Sequence, residues 1–588
     1  MAEINIKIEG HDYKVDSSLT VLEAARVCGY NIPSLCSYGH NENNIASCRV
    51  CLVEVKGARG LVASCAYPVN EGMEITISSL KAVEARRASV ELILSNHNKN
   101  CQQCRKNGNC ELLNVAITVG AREDKYQGAY SKNTYEDLGD TLVRDTSKCI
   151  LCGRCVVRCK EAQGIGVLGL EKRGFNTILA PAQNKSFKDV PCINCGQCVN
   201  VCPTGALMEK DEIWRVDEAI RQGKKVIVQT APAVRATIAE EFGHLIGTKN
   251  EAGRLVAALH RLGFYRVFDT DYAADLTIME EAHEFLHRFT TDGVLPMFTS
   301  CSPGWVNYME FYHSDLIPHV SSCKSPHQMM GAIIKSYYAE KHNLDKNDIF
   351  VVSVMPCICK KGEKERHYVD GVKDVDAVLT VREIARMIKR NGINWNKLPY
   401  EDFDNDLLHA ASGAGHIFGV SGGVMEAALR TAYHALTNKE YEGIKFEQVR
   451  GLKNTREASI NINGTVVNVA VVSGMANAKP LLDAVREGKS PYHFIEFMGC
   501  PGGCINGGGQ PYVKPALLPN EELNILDTYL AKRASVLYNE DDKNSLRQSH
   551  NNPDIIALYN DYLGEPNSHK AHHLLHVQGY NKDRARFK

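Results

Sequence analysis

The sequence predicts a multidomain chain, with small α+β modules before residue 212 and a larger α/β domain after it. Three observations predict this. A length of 588 residues is several domains' worth, roughly four on the usual size range. Sixteen of the 22 cysteines precede residue 203, and all of those but Cys28 stand at spacings suited to metal clusters. Beyond residue 210, strand-like and helix-like patterns alternate, which implies α/β architecture with mostly parallel sheets.

Composition removes several function classes. Hydrophobic content of 44% and charged content of 23% are ordinary for a globular chain. With 68 basic against 69 acidic residues there is no electrostatic footprint for nucleic acid. The alternating, charged N-terminus reads as neither a signal peptide nor a twin-arginine signal, and no apolar run is long enough for a spanning helix. A cytoplasmic protein is expected, whose reduced thiols are free to hold metal.

Residues 1–80 read as the first domain. Residues 3–8 and 12–15 alternate like a hairpin, and Ser18 to Cys28 reads as a short helix opened by Ser17 and Ser18. Cys36, Cys48, Cys51 and Cys65 then follow the order used by plant-type 2Fe–2S ferredoxins on a β-grasp sheet: a long loop, a close pair and a distant fourth thiol. Structural zinc, the rival reading, more often uses two close pairs.

Residues 81–125 form the second segment. Helical periodicity runs to Ser95, followed by His97, Cys101, Cys104 and Cys110. One imidazole and three thiolates suit zinc or a 4Fe–4S cube, and the flanking cluster motifs favour the cube. His97 as a simple helix C-cap is the alternative.

Residues 126–212 carry the plainest signal. Cys149-x2-Cys152-x2-Cys155-x3-Cys159 is repeated as Cys192-x2-Cys195-x2-Cys198-x3-Cys202-Pro203, the two-cluster ferredoxin run. In such pairs the fourth cysteine of each run serves the other cluster. Cys149, Cys152, Cys155 and Cys202 should hold one 4Fe–4S cube, and Cys192, Cys195, Cys198 and Cys159 the second. The stretch 160–190 reads as a hairpin-like insert. A chain with this inventory moves single electrons.

Residues 213–588 read as the α/β domain with a C-terminal helical tail. Three cysteine loops follow predicted strands: Cys301, Cys357-x-Cys359, and Cys500-x3-Cys504. Function in such sheets gathers at the C-terminal ends of strands.

Those loops, TSCSPGW at Thr299–Trp305, MPCICKK at Met355–Lys361 and FMGCPGGCINGGGQP at Phe497–Pro511, resemble in sequence and order the iron–iron hydrogenases. The N-terminal cluster motifs resemble the larger clostridial-type members. The resemblance implies a C-terminal hydrogenase catalytic domain that runs 2 H+ + 2 e− ⇌ H2 at a six-iron H-cluster. That cluster is a 4Fe–4S cube joined to a diiron unit with CO, cyanide and azadithiolate. It implies Cys357, Cys500 and Cys504 as cube ligands, with Cys504 bridging to the diiron unit. Lys360 would donate to a cyanide, and Met355, Met498, Pro232 and Phe418 would pack around the unit. The accessory set would be one 2Fe–2S cluster and three 4Fe–4S cubes. Maturation proteins would supply the diiron unit. Ferredoxin, or flavoprotein subunits reaching NAD(P), would exchange electrons, since no dinucleotide fingerprint is present.

The first loop departs from the family's TSCCP, in which the first cysteine relays protons and the second ligates the cube. Position by position, Cys301 falls on the relay and Ser302 on the ligand. Three accounts stay open: Cys301 ligates, Ser302 ligates through oxygen, or Cys359 completes the set. Thiolate preference for iron–sulfur clusters favours Cys301.

Glu281, Glu284 and Arg288 share one face of a predicted helix. An ordinary solvated Glu–Arg face is the bland reading. In this setting they match the family's acidic relay, with Ser321 as its hydroxyl step. His569, His572, His573 and His576 read as a solvated terminal helix, and Cys28 and Cys323 as small buried residues. The rivals are an iron–sulfur subunit of a respiratory NADH dehydrogenase, which would lack the three C-terminal loops, and a hydrogen-sensing or cluster-assembly relative.

Overall fold

The computed structural model describes the chain apart from residues 1, 40–44, 367, 370, 441–448, 452, 463, 514–524 and 588. In the N-terminal module, strands Glu3–Ile8 and His11–Asp16 pair as the expected hairpin, and Met73–Thr76 runs parallel to the first strand. Strands Leu52–Val55 and Val62–Ala63 complete a five-stranded sheet. The helix covers Val21–Val27, not Ser18 to Cys28. Thr20 and Glu23 form a capping box, and this reciprocal bonding of orphan N–H groups outweighs the two upstream serines.

Helix Leu80–Ser95, capped by the Ser79 side chain, leads to the loop of His97, Cys101, Cys104 and Cys110. Asn96 is the C-cap residue of that helix, so His97 is not. In the next module, Leu168–Glu171 and Ile178–Pro181 form the expected hairpin insert. A three-stranded antiparallel sheet of Leu207–Glu209, Leu142–Asp145 and Tyr135–Glu136 lies beside it.

The C-terminal part has two four-stranded sheets. In one, Arg266–Asp269, Lys225–Thr230, Ile349–Met355 and Ala377–Thr380 are all parallel. In the other, Met297–Phe298, Phe494–Met498 and Thr465–Ser473 are parallel, and the edge strand Thr455–Ile462 is antiparallel. Gly464, at φ +89°, lies in the hairpin turn between the last two strands, a conformation that costs glycine no Cβ clash. The parallel strands are near-continuous apolar runs buried on both faces, as sheets covered by helices require, whereas the edge strand Thr455–Ile462 alternates buried and exposed residues. All three cysteine loops leave the C-terminal ends of strands, after Phe298, Met355 and Met498.

The modules pack backbone to backbone. A Cβ on Gly508 would stand 2.6 Å from the Cys195 carbonyl oxygen and 2.7 Å from the Gly196 Cα. Gln197 Nε2 donates to the Asn506 carbonyl at 2.7 Å, and Asn200 Nδ2 to that of Gly507 at 3.0 Å. The second ferredoxin run is thereby pinned against the loop of Cys500 and Cys504. No described helix is long and apolar enough to cross a membrane.

Candidate functional site

The two ferredoxin runs share one backbone solution. Leu151 and Asn194 both have positive φ, 52° and 59°, and Gly153 and Gly196 follow at 77° and 73°. In each run an N–H two residues on donates to the first thiol at 3.4 Å, from Leu151 to Cys149 and from Asn194 to Cys192. Burial pushes the Cys155 thiol up, and the groups that add to it are Cys152, Cys149, Cys202 and, last, Cys198. Burial likewise raises Cys198, followed by Cys195, Cys192, Cys159 and, last, Cys202. Cys202 acts on Cys149, Cys152 and Cys155, and Cys159 on Cys192, Cys195 and Cys198, so each run's last cysteine lies near the other run's first three.

Cys36, Cys48, Cys51 and Cys65 are buried together in the N-terminal core. Ser47 Oγ donates to the Cys152 carbonyl at 3.3 Å, so this group abuts the first ferredoxin run. In the second segment, His97 is buried and its Nδ1 has no hydrogen-bond partner among the described residues. Burial, then Lys148, pushes its pKa down to about 4, which leaves the ring neutral and able to ligate. A bidentate Arg154–Glu111 pair, at 2.9 and 3.0 Å, ties this segment to the ferredoxin module.

The three catalytic-type loops converge on one apolar cavity. Cys301, Ser302, Cys357, Cys500 and Cys504 all line it, as do Pro232, Met355, Lys360, Phe418 and Met498. Burial raises the Cys500 thiol, and its neighbours Cys357, Cys195 and Cys504 add to that. The cavity is therefore one step from the second ferredoxin run. Thiols aimed into an apolar pocket, with one ammonium beside them, suit an iron–sulfur centre with anionic ligands. Lys360 is buried, which alone would lower its pKa, but Glu363 and Cys357 hold it above the ordinary lysine value. Its Nζ lies 3.1 Å from both Ser325 Oγ and Glu363 Oε2.

Within the first loop the two side chains face different neighbours. Ser302 Oγ accepts from the Gly499 N–H at 3.0 Å, beside Cys500. Burial raises the Cys301 thiol, and the carboxyl groups of Glu281 and Glu496 add to it. Cys359 is not in the cavity wall. Its Sγ donates to the Ile193 carbonyl at 3.2 Å and accepts from Asn307 Nδ2 at 3.3 Å.

Behind Cys301, helix Thr270–Thr290 presents Glu281, Glu284 and Arg288 on one face. The Ser300 N–H donates to Glu281 Oε1 at 3.3 Å, while the buried Glu281 Oε2 has no partner among the described residues. Burial, then the charge of Glu284, pushes the Glu281 pKa up to about 8. Ser321 Oγ donates to Glu284 Oε2 at 2.8 Å, and Arg288 donates to Glu284 Oε1 at 2.6 Å. The Arg288 guanidinium is pinned by the carbonyls of Pro318, His319 and Val320. The solvated-face alternative does not describe Glu281, which is fully buried.

Several residues at the site carry no signal that the sequence patterns picked up. His327 lines the cavity and bonds Glu363 through Nε2 at 2.7 Å. Burial, then Lys360, pushes its pKa down to about 4. Glu363 stands three residues after Lys360, a spacing that could have flagged it. Nothing local marks His327. The terminal helix is not simply solvated: in His569–Leu575, Ala571, Leu574 and Leu575 are buried, and His576 just after it is 2% exposed. Cys323 is buried as expected, but its thiol donates to Glu284 Oε2 at 3.7 Å.

Comparison with known proteins returns the same order of parts. Family models match a 2Fe–2S iron–sulfur cluster binding domain over residues 1–79 and an NADH-ubiquinone oxidoreductase-G iron–sulfur binding region over 86–125. Another matches a 4Fe–4S dicluster domain over 148–206. The C-terminal domain of the iron-only hydrogenase large subunit matches over 224–508, and the iron hydrogenase small subunit over 527–582. The chain is 45% identical over 597 residues to the NADP-reducing hydrogenase subunit HndD of Solidesulfovibrio fructosivorans, covering 99% of this chain and 100% of that protein. It is 41% identical over 579 residues to iron hydrogenase 1 of Clostridium pasteurianum, covering 97% and 99%. Among solved structures, FeFe-hydrogenase HydA1 of Chlamydomonas reinhardtii aligns at TM-score 0.55 and 39% identity, over 62% of this chain and 99% of that one.

Proposed function

The chain belongs to the iron–iron hydrogenase family, and on that premise we propose how its residues divide the work of the reversible reaction 2 H+ + 2 e− ⇌ H2. The observation that carries the reading is the convergence of Cys357, Cys500 and Cys504 with Cys301, Ser302 and Lys360 on one apolar cavity beside Cys195. The H-cluster, when bound there, supplies the redox chemistry of hydrogen.

Cys357, Cys500 and Cys504 hold its cube, and the charged Lys360 donates to an anionic ligand by a charge-assisted bond. Ser302 would supply the fourth ligand of the cube, through oxygen in place of sulfur. Its bond from the Gly499 N–H, next to Cys500 in the chain, supports this role. Cys301 stands between the cavity and Glu281 and passes protons. Thiolate softness argues for the reverse assignment, and the neighbours of the two side chains outweigh it. Cys359 stays out of the ligand set. Met355, Met498, Pro232 and Phe418 keep water from the cavity.

Glu281, with its pKa near neutrality, takes the proton from Cys301 and hands it through Ser321 to Glu284. Arg288 orients Glu284 at the exit. Cys192, Cys195, Cys198 and Cys159 would hold one cluster and Cys149, Cys152, Cys155 and Cys202 the next, and these clusters would supply the electron path away from the cavity. From there electrons reach the Cys36, Cys48, Cys51 and Cys65 group or the His97, Cys101, Cys104 and Cys110 group. Ferredoxin or an NAD(P)-linked flavoprotein subunit takes them up. HndD, a subunit of an NADP-reducing hydrogenase, supports the second kind of partner. The cytoplasm, with its reduced thiols, is the compartment we assign.

Infrared spectra of matured protein test the core of this reading. Bands of bound CO and cyanide are expected. Their absence from protein with full accessory iron would overturn it in favour of a cluster-assembly role.

A further inference from the structure

The C-terminal segment delivers a histidine to the outer end of the acidic relay, and a cysteine waits there. A carboxylate oxygen of Glu284, the thiol of Cys323 and a ring nitrogen of His576 lie within 4.8 Å of one another. Cys323 and His576 are 1% and 2% exposed. The Cys323 Sγ to Glu284 Oε2 distance is 3.7 Å. An S···O edge in tetrahedral zinc is about 3.5 Å, given the usual zinc–ligand lengths. One edge of such a site is therefore already in place.

The two segments are locked together by backbone. Cys323 and His576 form an isolated antiparallel bridge, with Lys324 N–H donating to the Leu575 carbonyl and Val577 N–H to that of Ser322, both at 2.8 Å. The histidine is also prepared from behind. Its Nε2 lies 2.9 Å from Glu280 Oε2, and Glu280 is fixed by the Tyr559 hydroxyl and the Asn567 N–H. That is the carboxylate–histidine arrangement which sets the tautomer of a metal-binding imidazole and leaves the other nitrogen as the donor. The other nitrogen, Nδ1, faces the Ser322 hydroxyl at 2.8 Å, and that hydroxyl is 3.4 Å from Glu284 Oε2. Thiolate, imidazole and carboxylate, with a hydroxyl or water as fourth donor, is a zinc-type donor set.

We propose that Glu284, Cys323 and His576 form a divalent-cation site of zinc type at the outer end of the proton route. Binding releases the Cys323 thiol proton to solvent and leaves the cation held by thiolate, imidazole and carboxylate. A Glu284 carboxylate committed to a cation no longer accepts the Ser321 proton. Zinc thus acts as a brake on turnover, a consequence that rests on the relay role of Glu284.

The test uses matured holoenzyme and zinc chloride, with excess metal removed by gel filtration. One more zinc per chain is expected in the parent protein than in Cys323→Ala. X-ray absorption at the zinc edge should show one sulfur neighbour at about 2.3 Å with lighter donors nearer. Equal zinc in parent and variant, or an all-sulfur zinc, overturns the site. Cys323→Ser and His576→Gln serve as second variants, each expected to lower zinc retention with accessory iron unchanged. Half-inhibition of hydrogen evolution should need at least tenfold more zinc in Cys323→Ala. Loaded zinc without inhibition upholds the site and overturns Glu284 as the obligatory exit.

Discussion

The ferredoxin runs and the hydrogenase cavity both gather cysteines, but by opposite routes. In the runs, three thiols come from seven consecutive residues, Cys149–Cys155 and Cys192–Cys198, and the chain needs only two left-handed residues per run to aim them inward. In the cavity, Cys301, Cys357 and Cys500 come from three strand ends, and two of those strands belong to one sheet and the third to the other. Local backbone geometry builds the first kind of site. Sheet packing builds the second, which leaves room for Lys360, His327 and the Glu281–Glu284 pair beside it.

The largest expected effect separates the two regions outright. Cys357→Ala should abolish the CO and cyanide bands and all hydrogen turnover, while the paramagnetic signals of reduced accessory clusters survive. Loss of both together would mean that the regions assemble as one unit. Next in size is the first loop. Cys301→Ala should keep the infrared bands and cut turnover by two orders of magnitude or more, about 2.7 kcal/mol of barrier. Ser302→Cys should retain the bands and hold the cube more firmly against chelator. Cluster loss in Cys301→Ala would restore the thiolate-first assignment.

Glu281→Gln probes the carboxyl chain. Turnover should fall several tens-fold, about 2 kcal/mol, because an amide keeps the shape but carries no proton onward. The same variant has a pH signature. The Glu281 carboxyl titrates at about 8 when folded, against 4.5 as its ordinary value, so the folded protein holds the extra proton between these limits. Its contribution to stability is full below about 4.5 and is lost as pH rises through about 8. Glu281→Gln removes this loss, so the variant should gain thermal stability relative to the parent as pH rises through that window. A constant difference across pH would show that the carboxyl is not held protonated.

The smallest effect lies at the seam between the regions. Gly508→Ala places a Cβ against the backbone of Cys195 and Gly196, which cannot yield as a flexible side chain would. A loss of about 1–3 kcal/mol is expected from overpacking, read as a lower unfolding temperature. Slower electron transfer into the cavity with an unchanged melting point would place the strain on the cluster path instead.

What the sequence determined follows from this contrast. Cysteine spacing within a run marks a cluster module because neighbouring residues are held within one or two turns of each other, so the 2Fe–2S domain, the segment after it and the dicluster domain were legible in the chain in their order. Strand patterns placed the three catalytic loops at the right ends of the sheets, and helical spacing put Glu281, Glu284 and Arg288 on one face. The tertiary structure alone decided what those loops meet. It set Ser302 beside Gly499 and Cys301 toward Glu281, turned Cys359 to Ile193 and Asn307, and brought His327 to the cavity wall. It also folded the terminal helix back so that His576 reaches Glu280. These contacts join residues up to about 300 positions apart, and no local periodicity encodes a partner at that distance, because packing of whole elements fixes which side chains face one another.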